Sequence, residues 1–427
     1  MNDREKKKVA IIGSGISGLT CAYLLQNYSE GVDFVLFESE SRLGGHTATV
    51  EVNHKEDHLN IDTGFIVYND WTYPNFIRLL KEVGVDNQTT DMSFSVTSDS
   101  TGIEYSGNNL DTLFAQRKNL ISPSFLKMVW NIVRFNKQAI SDLKNGVIKE
   151  DATLGQYLAL NNYSGLFASH YLIPMCSAIW SASMQSILSF PLLFFINFFK
   201  NHGLLSINNR PQWRVIKGGS SAYIEPLIQS FKEKIKLATR IANVKREDGS
   251  VCITTGVGET FHVDEVVFAC HSDQALQLLD DSTIKESEIL SAIPYSNNDV
   301  VLHTDTNLLP KNKKTWAAWN YLLSNGASDS AVLTYDMNIL QSIESQHTYC
   351  VTLNATHSID PEKIIGQYQY AHPQFSLNGV RAQERWSEIN GKNNTWFCGA
   401  YWRNGFHEDG VVSGMRVAES LGAIWTS

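Results

Sequence analysis

Val9-Ala10-Ile11-Ile12-Gly13-Ser14-Gly15-Ile16-Ser17-Gly18-Leu19 is the stretch that decides the fold. A short apolar strand runs into G-x-G-x-x-G, and the pattern from Leu19 to Leu25 is helical. Gly13 permits a tight turn, Gly15 lets the backbone approach a pyrophosphate, and Gly18 lets the helix pack closely on the strand, so that the helix N-terminus faces the phosphates. A second strand, Phe34-Val35-Leu36-Phe37-Glu38, ends in an acid 20 residues past the last glycine. There a carboxylate accepts hydrogen bonds from ribose hydroxyls and disfavours the 2′-phosphate of NADP. G-x-G-x-x-G alone also fits a glycine-rich turn in some other βα unit; the strand before it, the helix after it and the acid favour the dinucleotide. Arg42-Leu43-Gly44-Gly45-His46 follows at once, and Gly405-Phe406-His407-Glu408-Asp409-Gly410-Val411-Val412-Ser413-Gly414 lies near the C-terminus. Together the three pieces read as one binding site for FAD, with the two ends of the chain meeting around it.

Length and composition set modest bounds. A chain of 427 residues is long for one core, so two domains are expected. The formal charge of −9 argues against nucleic-acid partners, which require a basic face. Lys6, Lys7 and Lys8 read as a solvated tail, and the charged start leads into a cofactor strand rather than a secretory signal. Cys21, Cys176, Cys252, Cys270, Cys350 and Cys398 are scattered without C-x-x-C or metal-like spacing, which suits reduced thiols in a cytoplasmic, metal-free enzyme.

Further along, Leu59 to Tyr68 is strand-like but interrupted by Asp62-Thr63-Gly64, and a helix is expected from about Pro74 to Val83. Residues 120–205 look mainly helical. A strand at Gln212 to Lys217 turns at Gly218-Gly219 into a helix expected from about Ala222 to Lys234. Ile241 to Lys245, Val251 to Thr255 and Glu265 to Ala269 read as a β-meander ending in a buried strand. Residues 297–375 alternate strands and short helices, and Asn394 to Gly399 is the last strand. The expected architecture is α/β: a Rossmann-type FAD-binding domain (1–85, 212–296 and 390–427) with a discontinuous α+β substrate domain (86–211 and 297–389).

The order of G-x-G-x-x-G, E-x-x-x-R-x-G-G, an apolar V-V-x-A strand after a meander and a final G-x-x-E-x-G resembles the flavin-containing amine oxidase and phytoene desaturase superfamily over most of the chain. Four runs are similar to a bacterial subgroup of FAD-binding oxidoreductases associated with cyclopropane fatty acid synthases: Asp62 to Asn69 with Tyr73-Pro74-Asn75, Ile179-Trp180-Ser181-Ala182, Trp316 to Tyr321, and Phe406 to Gly410. Monoamine oxidases hold flavin covalently through a cysteine upstream of the last helix, the compared region here, Gln367 to Pro373, has none, and the FAD is therefore expected to be non-covalent. The resemblance adds to Gly13, Gly15, Ile16, Ser17, Gly18 and Glu38 a set of cofactor contacts: Ser39, Arg42, Gly44, Gly45, His46, Thr63, Gly64, Ile241, Val244, His407, Asp409, Gly410 and Val411. A helix beginning near Asp409 would, as in the superfamily, point its N-terminus at the flavin edge where negative charge collects on reduction. The flavin-facing lysine of the amine oxidases should fall near Val300 to His303, where this chain has none.

Three residues are candidates for the reacting face. Phe406 reads as one wall of an aromatic cage or as core, Tyr370 as an approach from the other side, and His372 as an acid or base titrating near neutrality or as a structural histidine. The apolar run Ile187 to Phe199 is too short to span a bilayer; it reads as buried core, as a tunnel wall, or as a face meeting a membrane surface. The expected function is hydride transfer to flavin from an apolar, fatty-acyl substrate. The alternatives are a desaturase or oxidase of a polyene, porphyrin or amine, and a non-catalytic flavoprotein partner of a lipid methyltransferase.

Overall fold

A computed structural model describes residues 6–206, 208, 210–324 and 332–426; the parts of the expected domain ranges at 1–5, 207, 209, 325–331 and 427 lie outside the described residues. Strand Lys7–Ile12 is the centre of a parallel sheet ordered Ile235–Lys236, Val32–Phe37, Lys7–Ile12, Glu265–Phe268, Thr395–Phe397. Burial on both faces is why the central segments read as apolar runs. Successive side chains leave a strand on opposite faces. Val9 and Ile11 accordingly pack with Leu19 of helix Ile16–Tyr28 and Val417 of helix His407–Ser420, while Ala10 and Ile12 pack with Val251 and Ile253 of an antiparallel meander.

The two helices cross closely because glycines lie between them. A Cβ on Gly414 would stand 2.3 Å from the Ser17 carbonyl oxygen, and one on Gly410 would stand 2.6 Å from Ile16 Cγ2. Two of the quoted runs also meet. The Glu408 carboxylate accepts hydrogen bonds from the Asn75 side chain (2.6 Å) and the Phe76 backbone (2.9 Å), satisfying donors at the start of helix Pro74–Glu82.

The meander consists of Ile241–Glu247, Ser250–Thr255 and Thr260–Val263. Its third strand escapes an apolar-run reading because Thr260 and His262 face solvent, and Glu265–Phe268 belongs to the parallel sheet instead. The expected helix from Ala222 to Lys234 is broken into a turn Ser220–Tyr223, a short helix Ile224–Ile228 and a turn Lys232–Lys234. Pro226 withholds a backbone donor, and Phe231 turns inward against Phe34, with ring centroids 5.7 Å apart.

The second large sheet runs Ile364–Pro373, Tyr295–His303, Cys350–Leu353, Val332–Asp336, Trp319–Leu323, Phe94–Ser98, Glu104–Ser106. Its neighbours are antiparallel except Trp319–Leu323 with Phe94–Ser98. Helices from residues 123–201 pack on one end of it, where Val96, Tyr321 and Leu333 share a core with Phe135, Phe167 and Phe195. The apolar run 187–199 lies in helices Met184–Leu188 and Leu192–Asn201 with Phe190, Phe195, Ile196 and Phe199 buried. That burial removes the membrane-surface reading of this run; it is core, and Phe198 is its contribution to the wall of the cavity described next.

Candidate cofactor and substrate site

The glycine turn is open on one side only. Gly13 has φ 109°, and a Cβ there would lie 2.8 Å from the Ala269 carbonyl oxygen; on Gly18 it would lie 2.1 Å from that of Gly13. Gly15 differs: φ is −64°, and a Cβ would meet nothing within 4 Å. Its bare face lines a cavity and leaves room for a group to approach the backbone.

Glu38 does more than wait for a ribose. Its Oε2 accepts from the Ser14 backbone (2.9 Å) and hydroxyl (2.5 Å), and its Oε1 accepts from the Glu40 backbone (2.9 Å) and Ser39 hydroxyl (3.2 Å). The carboxylate therefore fastens the glycine turn to the end of the second strand. Ser14 was not singled out from sequence; the only signal was a polar residue between two turn glycines. The Gly44 backbone donates to the Ser14 carbonyl (3.1 Å), and Arg42 donates to the carbonyls of Gly45 (2.9 Å) and Thr47 (3.2 Å), so the Gly44-Gly45 loop is clamped beside the turn.

The C-terminal helix begins at His407, earlier than expected. Asp409 is a cap: its Oδ2 accepts from the backbones of Asn404 (3.2 Å) and Phe406 (3.0 Å), and burial pushes its carboxyl up to about 6. Its side chain thus turns back on its own loop and does not line the cavity. Gly410 and Val411 pack against the first helix and core, Gly18 packs behind the turn as expected, Val244 is buried in the meander core, and Ile241 with Ala242 forms the cavity wall near Val244. The Gly410 backbone bonds to the Phe406 carbonyl (3.0 Å), so the unpaired donors of the helix are those ahead of it. His407 lines the cavity, stacks on Phe65 with centroids 3.4 Å apart, and bonds through Nε2 to Thr47 Oγ1 (3.0 Å).

Histidines form one wall. The His46 ring lies 5.9 Å from His271, 5.4 Å from His372 and 5.5 Å from Tyr370. Tyr370 shares a hydrogen bond with Thr63 Oγ1 (2.9 Å), Asn298 donates its amide to His372 Nδ1 (3.1 Å), and His271 stacks on Tyr295 at 4.2 Å. Gly64 is required because a Cβ there would lie 2.2 Å from the His46 carbonyl oxygen. Burial, reinforced by the closeness of the imidazoles to one another and, for His46, by Arg42, pushes His46 and His271 down to about 4 and His372 down to about 3. His372 is thus a neutral imidazole at physiological pH, which corrects the expectation of an acid or base titrating near neutrality. Sequence reading missed His271 and Tyr295, which join the wall from another strand end and carry no motif.

These residues line one cavity of about 1920 Å³. One end holds Gly13, Gly15, Ile16, Ser17, Glu38, Ser39, Arg42 and Ile241, and the other is an aromatic chamber with Met175, Trp180, Phe198, Trp319, Phe375 and Phe406. The volume exceeds the roughly 300–1,000 Å³ of an ordinary small-molecule pocket. Among the described residues no lysine lines it. The residues fit FAD on three observations: the open face of Gly15, the Glu38 carboxylate at the strand end, and the buried His46 Nε2, which has no hydrogen-bond partner.

Residues 16–338 match the family described as flavin containing amine oxidoreductase. Amine oxidase [flavin-containing] B of Canis lupus familiaris is 23% identical over 287 residues, covering 62% of this chain and 50% of that protein. Zeta-carotene desaturase of Zea mays is 39% identical over 85 residues, 19% of this chain and 13% of that one. The chain spans about half the length of the amine oxidases it matches. Among solved structures, a putrescine oxidase mutant redesigned in its cofactor binding superposes with TM-score 0.69 at 15% identity, covering 97% of this chain and 98% of that chain. A CLA-producing fatty acid isomerase from P. acnes superposes with TM-score 0.68 at 16% identity, with the same coverages. At these identities the superpositions show a shared fold.

Proposed function

The chain belongs to the flavin-containing amine oxidoreductase family, and we propose that it is an FAD-dependent oxidoreductase that removes hydride from an apolar, acyl-lipid substrate. The observation that carries this reading is the single cavity, whose dinucleotide end continues into an aromatic chamber large enough for a second, apolar molecule. FAD, when bound, supplies a two-electron acceptor for a substrate C–H bond. Gly13, Gly15 and Glu38 hold its dinucleotide portion, and His46 Nε2 offers one further polar contact. Cys398 is buried in the core and residues 367–373 contain no cysteine, in keeping with a non-covalent cofactor.

The remaining residues position and desolvate. Phe406 stacks on Phe198 with centroids 5.2 Å apart and, with Trp180 and Phe375, excludes water and orients an apolar chain. Tyr370 and His372 face the same space as neutral groups, His372 being held by Asn298. The lack of a cavity lysine favours a dehydrogenase or desaturase over amine oxidation with oxygen. Arg210 lines the chamber close enough to Tyr171 for its charge to be felt at the phenol, and offers a partner for an anionic head group. The six cysteines form no disulfides, which suits a cytoplasmic setting, and the four quoted runs support an association with a lipid methyltransferase.

Anaerobic incubation of the FAD-loaded protein tests this reading. Bleaching of the flavin absorbance by acyl lipids is the expected result. Bleaching by amines alone would make it an amine oxidase, and no bleaching together with tight methyltransferase binding would make it a non-catalytic partner.

A further inference from the structure

The charge of this chain is distributed unevenly. Residues 112–141 contain Arg117, Lys118, Lys127, Arg134 and Lys137 and not one Asp or Glu, in a protein whose formal net charge is −9. The same segment carries a run of exposed large apolar side chains: Leu120 is 50% exposed, Ile121 84%, Leu126 41% and Trp130 56%, and Leu110 just before it is 75% exposed.

The fold gathers these residues on one side. Arg117 pairs with Asp111 (2.6 Å), which ties the turn Arg117–Ile121 to the short helix Leu110–Leu113. Helix Pro123–Lys144 then buries Phe125, Met128, Phe135 and Ala139, leaving Leu126, Lys127, Trp130 and Lys137 outward. Leu126 and Trp130 are one turn apart on the same face. The Arg134 guanidinium lies 5.1 Å from the Trp130 ring centroid. The patch borders the cavity, since Gly107 and Asn108, exposed residues immediately before Asn109 and Leu110, line it.

We propose that Leu110, Leu120, Ile121, Leu126 and Trp130, with Lys118, Lys127 and Lys137, form a docking face for an anionic lipid bilayer. Clustered exposed apolar side chains of this size are uncommon on the surface of a monomer and mark interaction sites. Trp and aliphatic residues flanked by lysines match the layering of a bilayer interface, apolar groups at the acyl boundary and cations among acidic head groups. No helix among the described residues is long and apolar enough to cross a membrane, and the proposed contact is made by surface side chains. The face also puts the rim of the cavity at Gly107-Asn108 against the phase in which an apolar substrate dissolves.

Co-sedimentation of the FAD-loaded protein with vesicles tests this face, and it reads binding rather than turnover, so it stands or falls apart from the redox reading. The parent should bind vesicles of phosphatidylcholine with phosphatidylglycerol more tightly than pure phosphatidylcholine, and more weakly as salt rises. The pair Lys118→Glu and Lys127→Glu should lower anionic-vesicle binding by about tenfold or more. Ile121→Ser with Trp130→Ser should do so on both vesicle types. Val257→Ser, 91% exposed in the meander, should leave it unchanged. Retained flavin absorbance in each variant establishes folding. Parent protein that ignores both vesicle types, binds an acidic protein instead, or binds vesicles equally well in all variants would overturn the proposal.

Discussion

Gly15→Ala separates the fold from the cofactor. At φ −64° an alanine is conformationally allowed, and its Cβ meets nothing within 4 Å, so nothing in the protein must move. Replacing Gly with Ala at a compatible backbone position stabilises by about 0.4–1 kcal/mol through the unfolded chain. Alanine is a poorer N-cap than glycine, and the loss at the start of helix Ile16–Tyr28, on the order of 0.5–1 kcal/mol, offsets most of that gain. Net stability should therefore move by less than about 1 kcal/mol. The same methyl lies on the cradle that the dinucleotide backbone must approach. Inserting a methyl into a filled contact costs about 1–3 kcal/mol, a weakening of roughly 5- to 150-fold in FAD affinity. Thermal unfolding of the apo protein and FAD titration by flavin fluorescence measure the two quantities separately. A Gly15→Ala protein with parental melting temperature and parental FAD affinity would refute the placement of the pyrophosphate at this turn. Gly13→Ala is the contrast: with φ 109° and the Ala269 carbonyl oxygen 2.8 Å from the new Cβ, it should destabilise the apo protein itself.

Glu38→Ala removes an acceptor shared by Ser14, Ser39 and Glu40, so it should lower both FAD retention and apo stability; about 1.5–3 kcal/mol per charged-acceptor hydrogen bond sets the scale. Isothermal titration and thermal melts would show it, and undiminished FAD retention would remove Glu38 from the site. Gly414→Val puts a branched side chain where a Cβ already stands 2.3 Å from the Ser17 carbonyl oxygen, and should lower the melting temperature by an amount reflecting about 1–3 kcal/mol or more. Acid should unfold the apo protein early. His46, His271 and His372 have folded pKa values of about 4, 4 and 3, below the unfolded 6.5, so their stabilisation is complete above 6.5 and is lost as pH falls towards 4 and 3. Asp62 and Asp409, both raised to about 6, act oppositely, their stabilisation being complete below 3.8 and lost as pH rises through 6. The histidines outnumber them, so melting temperature should fall between pH 7 and pH 4.5; a rise over that interval would contradict the burial of the imidazole wall.

The parallel sheet and the glycine turn were legible because their causes are local. Gly18 answers the Gly13 carbonyl oxygen within one βα unit, and the buried parts of strands Lys7–Ile12 and Glu265–Phe268 read as apolar runs. What sequence did not disclose depends on which distant side chains share a wall. Nothing near His271 or Tyr295 marks them as neighbours of His46, and the titration of His372 is set by burial that only the packed chain creates. Whether a carboxylate three residues into a helix faces outward or turns back on its own loop depends on its neighbours, and at Asp409 the backbones of Asn404 and Phe406 hold it on the loop. The run 187–199 reads alike as core, tunnel or membrane face because apolar composition is common to all three; its burial separates them, and five exposed large apolar residues lie on the segment 110–137.

The most direct test of the central claim, that one cavity holds FAD and an apolar substrate end to end, is a crystal structure of the protein with FAD and an acyl lipid. The account predicts pyrophosphate density at the bare face of Gly15, ribose at Glu38, and the acyl chain among Trp180, Phe198, Phe375 and Phe406. Lipid density elsewhere with that chamber empty, or FAD bound away from Gly15 and Glu38, would contradict it.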